Sequence, residues 1–202
     1  LWVRLMTCSL LQVSVTRRSV KSSCNDILFR FISDRSVICM IGDYCFLKFS
    51  LSVPEMDVAS GKRVLEIEAK ALQELANELG NMFCRALDII AEVKGRIVVT
   101  GMGKSGHIGQ KIASTFSSTG TPAFFVHPAE ASHGDLGMIA KGDVVIALSN
   151  SGETTELADI VAYAKRFEIP LIGITGGIKS TLANAAEIAL VLPVCDEACP
   201  LG

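Results

Sequence analysis

From residue 96 onward, short apolar β-branched runs alternate with stretches that carry helical spacing. Residues 96–100 (RIVVT) predict a buried strand, 105–118 a helix, 122–126 (PAFFV) a second strand and 143–148 (DVVIAL) a third. Residues 154–166 place Leu157, Ile160, Val161 and Ala164 on one helical face. Residues 170–175 (PLIGIT) predict the fourth strand, 180–186 a short helix and 188–192 the fifth strand. Strands that are apolar throughout and separated by helices predict a parallel sheet covered on both faces, with right-handed crossovers. The predicted fold is therefore α/β, a three-layer α/β/α sandwich around a five-stranded parallel sheet.

Upstream, Val64, Ile67, Leu72, Leu75, Leu79, Phe83, Leu87 and Ile90 recur at helical spacing with charges between them. They predict one or two amphipathic helices, broken near Gly80-Asn81, that cover a sheet face or pack on a second subunit. Residues 1–53 have another character. Basic residues outnumber acidic ones, no period runs through them, and Cys8, Cys24, Cys39 and Cys45 all fall there. We expect residues 1–55 to be a poorly ordered segment unrelated to the domain at 56–202. Arg17-Arg18 with nearby serines is a faint transit-peptide signal, and no signal-peptide order of regions is present. The apolar run 38–53 is broken by Asp43 and Lys48 and falls short of the ~20 residues of a bilayer span. The first residue is Leu1, not Met, and the last, Gly202, lies just past Pro200, so a fragment of a longer chain is expected.

Composition narrows the classes. With 202 residues, half of them hydrophobic, the chain can bury a sizeable core. A net charge of −2 argues against nucleic-acid binding driven by phosphate contacts. Seven cysteines, an odd number without CxxC spacing, point to reduced thiols in the cytoplasm.

The chemistry concentrates in loops that follow predicted strands. Residues 101–106 (GMGKSG) fit G-x-G-x-x-G, but the acidic residue that a dinucleotide ribose requires is missing: the second strand ends at His127. Walker A fails as well, because Val98 stands where its first glycine belongs. What remains is a helix start with Gly103, Lys104 and Ser105, suited to a phosphate or a sugar oxyanion. A tight turn with a solvated lysine is the plain alternative. Residues 149–156 (SNSGETTE) offer Ser149, Asn150, Ser151, Thr154 and Thr155 to wrap a phosphate monoester, with Glu156 expected in the first helical turn. A simple helix cap is the alternative there. Between the strands lie His127 and His133, in a pattern that suits ligand binding or proton transfer and matches no zinc spacing.

The segments GMGKSGHIG, STGTPAFFVHPAEASHGDLGM, DVVIALSNSGETTEL and DEACPLG together resemble the sugar isomerase (SIS) domain of the KpsF/GutQ family of arabinose-5-phosphate isomerases, from about Met56 to Gly202. The resemblance implies a flavodoxin-like SIS fold. It also implies interconversion of D-arabinose 5-phosphate and D-ribulose 5-phosphate, for 3-deoxy-D-manno-octulosonate and lipopolysaccharide synthesis. By the same likeness Lys104, His133, Glu156 and Glu197 are the catalytic set. Gly120, Thr121 and His127 contact substrate, and His127 is also a candidate zinc contact. No cofactor is required by this chemistry. The implied partners are a phosphorylated pentose and further copies of the chain, in a dimer or tetramer, with neither nucleic acid nor membrane. The chain departs from the family in its first ~55 residues. It also stops where the family continues with another helix, another active-site histidine and often paired CBS domains, so inactivity of this length of chain is one expectation. The rival readings are a non-catalytic SIS sugar-phosphate sensor, which usually carries a helix-turn-helix region absent here, and an isomerase of another phosphosugar.

Overall fold

A computed structural model describes residues 30–32, 36–40, 46–49 and 53–198, with side chains from residue 58. The chain divides into two compact units, residues 1–74 with 195–202, and residues 75–194. In the first, β1 (Arg30–Ile32), β2 (Ser36–Met40) and β3 (Phe46–Phe49) pair antiparallel in that order. The expectation of poor order in residues 1–55 otherwise falls largely outside the described residues. Most of helix α1 (Val53–Glu78) belongs to the same unit, and its Val64 is fully buried. Arg63 donates to the Ala198 carbonyl at 3.2 Å.

The second unit contains the parallel sheet. Its elements are α2 (Asn81–Ala91), β4 (Ile97–Gly101), α3 (Gly103–Ser118), β5 (Ala123–Val126), α4 (Pro128–Ser132), β6 (Val144–Leu148), α5 (Ala158–Arg166), β7 (Leu171–Thr175), α6 (Thr181–Ala185) and β8 (Ile188–Val191). The break between α1 and α2 falls at Gly80, as the pattern predicts. The strands run parallel in the order β5-β4-β6-β7-β8. Alternation within each strand then sorts side chains to two faces. Ile97, Val99, Val144, Ile146 and Ile172 form one core with Ala86 of α2 and Ala113 of α3. Val98, Val126, Val145, Ala147 and Leu171 form the other with Ala131 of α4, Ile160 and Ala164 of α5 and Leu182 of α6. This is the predicted α/β/α sandwich.

The chain enters the sheet at β4, steps to one side for β5 and then crosses back to β6. The reversal makes the gap between β4 and β6 the topological switch point, and ligands of open parallel sheets bind above the carboxyl ends of the strands there. Close approach at this point requires glycine. A Cβ on Gly101 would lie 3.0 Å from the Leu148 carbonyl oxygen, and one on Gly106 would lie 2.7 Å from the carbonyl oxygen of Gly101.

The opposite rim is fastened by Asp143, which is 2% exposed. Its carboxylate accepts from the backbone N–H groups of Arg96 (2.7 Å) and Ala140 (2.9 Å) and from the Arg96 guanidinium (3.3 Å). The same guanidinium donates to the Met138 carbonyl at 2.8 Å and sits over the Phe124 ring. Asp143→Ala strips these donors of their acceptor. It is expected to cost about 2–4 kcal/mol of stability, read as a lower urea midpoint at unchanged slope.

Candidate active site

Lys104 and Ser105 lie in the first turn of α3, which begins earlier than its sequence pattern suggests, at Gly103. Gly103 adopts φ +52°, a left-handed conformation that a glycine takes without a Cβ clash. Helix α3 has no side-chain cap and no acidic residue in its first turn. A sixteen-residue helix thus presents its positive end, with an exposed lysine, to whatever lies above β4.

The second loop leaves β6 on the same rim. Ser149 was expected to face a ligand, yet it is 3% exposed and works inside the loop. Its Oγ accepts from the Gly152 N–H at 3.0 Å and lies 2.7 Å from Thr154 Oγ1. Ser151 Oγ accepts from the Glu153 N–H. Asn150, Ser151 and Thr155 remain exposed, and Thr154 is half-buried. Glu156 was expected in an α-helical turn; it sits instead in a 3₁₀ turn, Thr155–Leu157, that leads into α5. It is exposed and accepts from Thr155 Oγ1 at 3.0 Å.

His127 ends the neighbouring strand as the N-cap of α4, with its ring edge-on to Phe125. Its Nδ1 is buried without a hydrogen-bond partner. His133 is the exposed C-cap of α4, a helix that packs against the turn carrying Glu156. Lys104, His127, His133, Glu156 and the loop hydroxyls therefore stand on elements gathered around one rim. Gly120 and Thr121 do not join them. They follow the end of α3 at the opposite rim, where the adjacent Pro122 carbonyl accepts from Ile97 at the start of β4. A strand of five residues separates the rims by roughly 15 Å, so one chain does not bring both to one small ligand. Glu197 belongs to the other compact unit and is exposed. Among the described residues no three His, Cys, Asp or Glu side chains gather closely enough to hold a metal ion.

Sequence patterns missed the brace beneath the second loop, which comes from the segment after β7. Gly176 N–H donates to the Asn150 carbonyl, Leu182 N–H to the Gly152 carbonyl, and Gly177 N–H to Thr175 Oγ1. Glu153 accepts from the Thr181 N–H (2.8 Å) and hydroxyl (2.6 Å). The only signal in the sequence is the Gly176-Gly177 pair followed by Ser180 and Thr181. Thr100, near the end of β4, is fully buried with an unpartnered Oγ1.

A family model, the SIS domain, matches residues 89–201, which takes in both loops and the whole parallel sheet. The chain belongs to the SIS family. Over 143 residues it is 54% identical to the arabinose 5-phosphate isomerase KdsD of Escherichia coli K12, a match covering 71% of this chain and 44% of the relative. The Pseudomonas aeruginosa enzyme of the same name is 54% identical over 145 residues, covering 72% and 44%. The chain thus spans less than half the length of these relatives. A solved structure from Escherichia coli CFT073, in complex with arabinose 5-phosphate, superposes with a TM-score of 0.69 at 40% identity, covering 75% of this chain and 79% of that one.

Two outcomes follow from the second loop. Gly152 has φ +69°, and a Cβ there would collide with the Ser180 side chain and lie 2.7 Å from Thr175 Oγ1. Gly152→Ala is expected to cost about 1–3 kcal/mol, visible as a lower thermal midpoint. The hydroxyl of Thr181, then its N–H, holds the Glu153 carboxyl below the ordinary 4.5. These bonds favour the ionised form, so their contribution is complete above pH 4.5 and is lost as pH falls through the lower folded value. Acid unfolding followed by circular dichroism should therefore be less steep in Glu153→Gln than in the unaltered chain.

Proposed function

We propose that this chain is the SIS part of an aldose–ketose isomerase that interconverts D-arabinose 5-phosphate and D-ribulose 5-phosphate. The observation that carries the reading is the flush pairing of β4 with β6. It sets the Lys104 helix start and the 149–156 loop side by side at the switch point. The similarity to KdsD enzymes of that activity supports the choice of pentose phosphate.

The loop around Asn150, Ser151, Thr154 and Thr155 holds the phosphate through hydroxyls and backbone N–H groups, with Ser149 keeping the loop in shape. Gly103 and Ser105 let the α3 N-terminus approach the sugar. His133 assists ring opening. A carboxylate, Glu156, then removes the C2 proton of the open aldose, and electrons shift onto the C1 carbonyl oxygen. Lys104 stabilises that oxyanion. Return of that proton to C1, with transfer of the O2 proton to O1, gives the ketose. Every electron stays within the sugar, so the step needs no redox cofactor. His127 shapes the rim, and no step is routed through zinc.

Among the described residues no helix is long and apolar enough to cross a membrane. A cytoplasmic protein supplying 3-deoxy-D-manno-octulosonate synthesis is the setting we propose. A dimer or tetramer is part of the same reading, since Gly120 and Thr121 can meet a sugar at this rim only from another copy.

The test is ketose formation from arabinose 5-phosphate by the protein that contains this chain. Glu156→Gln is expected to lose about 10²–10⁴-fold in kcat, and Lys104→Ala about 10²–10³-fold. Full activity in Lys104→Ala would remove the lysine from the mechanism. Turnover of a hexose phosphate in preference to the pentose would overturn the substrate assignment.

A further inference from the structure

We infer that Glu153 and Thr181 form a positioning clasp that sets the phosphate affinity of the second loop, without either residue touching the substrate. The inference rests on the phosphosugar reading above. Both residues belong to the same compact unit, in loops that follow the adjacent strands β6 and β7. They are 28 positions apart, so the clasp is a tertiary contact.

Three observations carry it. First, Glu153 is engaged through both oxygens: Oε1 takes the Thr181 N–H and Oε2 takes its hydroxyl. Such a two-point, charge-assisted grip fixes direction as well as distance. A carboxylate so occupied is a poor proton shuttle, whereas Glu156 accepts from its sequence neighbour Thr155. Second, Glu153 directly follows Gly152, whose left-handed backbone and contact with Ser180 set the turn of the loop. Opening the clasp frees the chain where Ser149 Oγ, the Gly152 N–H and Thr154 Oγ1 must stay in register. Third, the other ties between the two loops, from Gly176 and Leu182, grip the backbone at Asn150 and Gly152. Apart from the bonds of Ser149 to Thr154 and of Ser151 to Glu153 within the loop itself, they leave the limb from Glu153 to Thr155, which carries two of the proposed phosphate ligands, to the clasp.

The test measures Kd of the protein that contains this chain, unaltered and substituted, for inorganic phosphate and for arabinose 5-phosphate by calorimetry. Thr181→Val and Glu153→Ala should each weaken both ligands roughly three- to tenfold. The double variant should be no weaker than either single one, because the two residues act through one contact. Thr181→Ser, which keeps the hydroxyl, should bind like the unaltered protein. In the active parent protein the same variants should raise KM by the same factor and leave kcat within about twofold. If the unaltered protein binds both ligands and Thr181→Val or Glu153→Ala binds them equally well, the clasp is only structural and the inference fails while the functional reading stands. Additive losses in the double variant also overturn it. If the unaltered protein binds neither ligand, the functional reading fails and takes the inference with it. Should Thr181→Val not fold, Glu153→Ala against Thr181→Ser decides the matter alone.

Discussion

The parallel register between β4 and β6, from Ile97↔Val144 to Gly101↔Leu148, is the constraint on which the site depends. Because the two strands end level, the loops that follow start level. A slip of one residue would turn Val145 and Ala147 out of one core and Ile146 out of the other. Both faces of this sheet are buried, so a slip would exchange side chains between the two cores and disturb the packing of each. The packing that stabilises the fold thus also fixes the separation of Lys104 from the 149–156 loop.

Bringing two loops together at one switch point means bringing backbones together, and the structure pays for this in glycine. Gly101 and Gly106 allow α3 to start directly over the end of β4. Gly152 allows the second loop to fold down onto Ser180 and Thr175. The positions that look most like ligand-binding decoration in the sequence are thus partly structural. Ser149 is the clearest case: its hydroxyl satisfies a backbone N–H that the turn would otherwise leave buried.

What the sequence reveals follows from the range of each interaction. Strands β4 to β8 are legible because both faces are buried, which makes each strand apolar along its whole length. Helices α2, α3 and α5 are legible from their period, and their ends shift by a few residues because capping is local and weakly encoded. The two loops are legible as loops at strand ends because their glycine- and hydroxyl-rich runs interrupt the apolar patterns on either side. Tertiary choices are not legible. Glu153 and Glu156 stand three apart with similar neighbours, and nothing local says that one is held by Thr181 and the other is not. Gly120 and Thr121 look like a further glycine-hydroxyl pair, yet they sit where a helix returns to the far rim. The strands β1 to β3 are hidden because their residues lack a clean alternation of polar and apolar positions.

The exposure of the proposed catalytic groups imposes a last condition. Lys104, His133, Glu156 and Glu197 all face water in this chain. At a dielectric near that of bulk water, a lysine about 4 Å from an oxyanion contributes only about 1 kcal/mol, several times less than in a partly dried pocket. In the proposed reaction, stabilising an enediolate therefore depends on covering the rim once the sugar is bound. The phosphate is the group best suited to bring this about, because its affinity is independent of the chemistry at C1 and C2 and can hold the sugar while water is displaced. A loop that binds phosphate must then be rigid before the sugar arrives, since any ordering left until binding is subtracted from that affinity. The hydroxyl ring around Ser149 and the ties from the β7–α6 segment supply that rigidity at a place where the backbone has no strand or helix of its own.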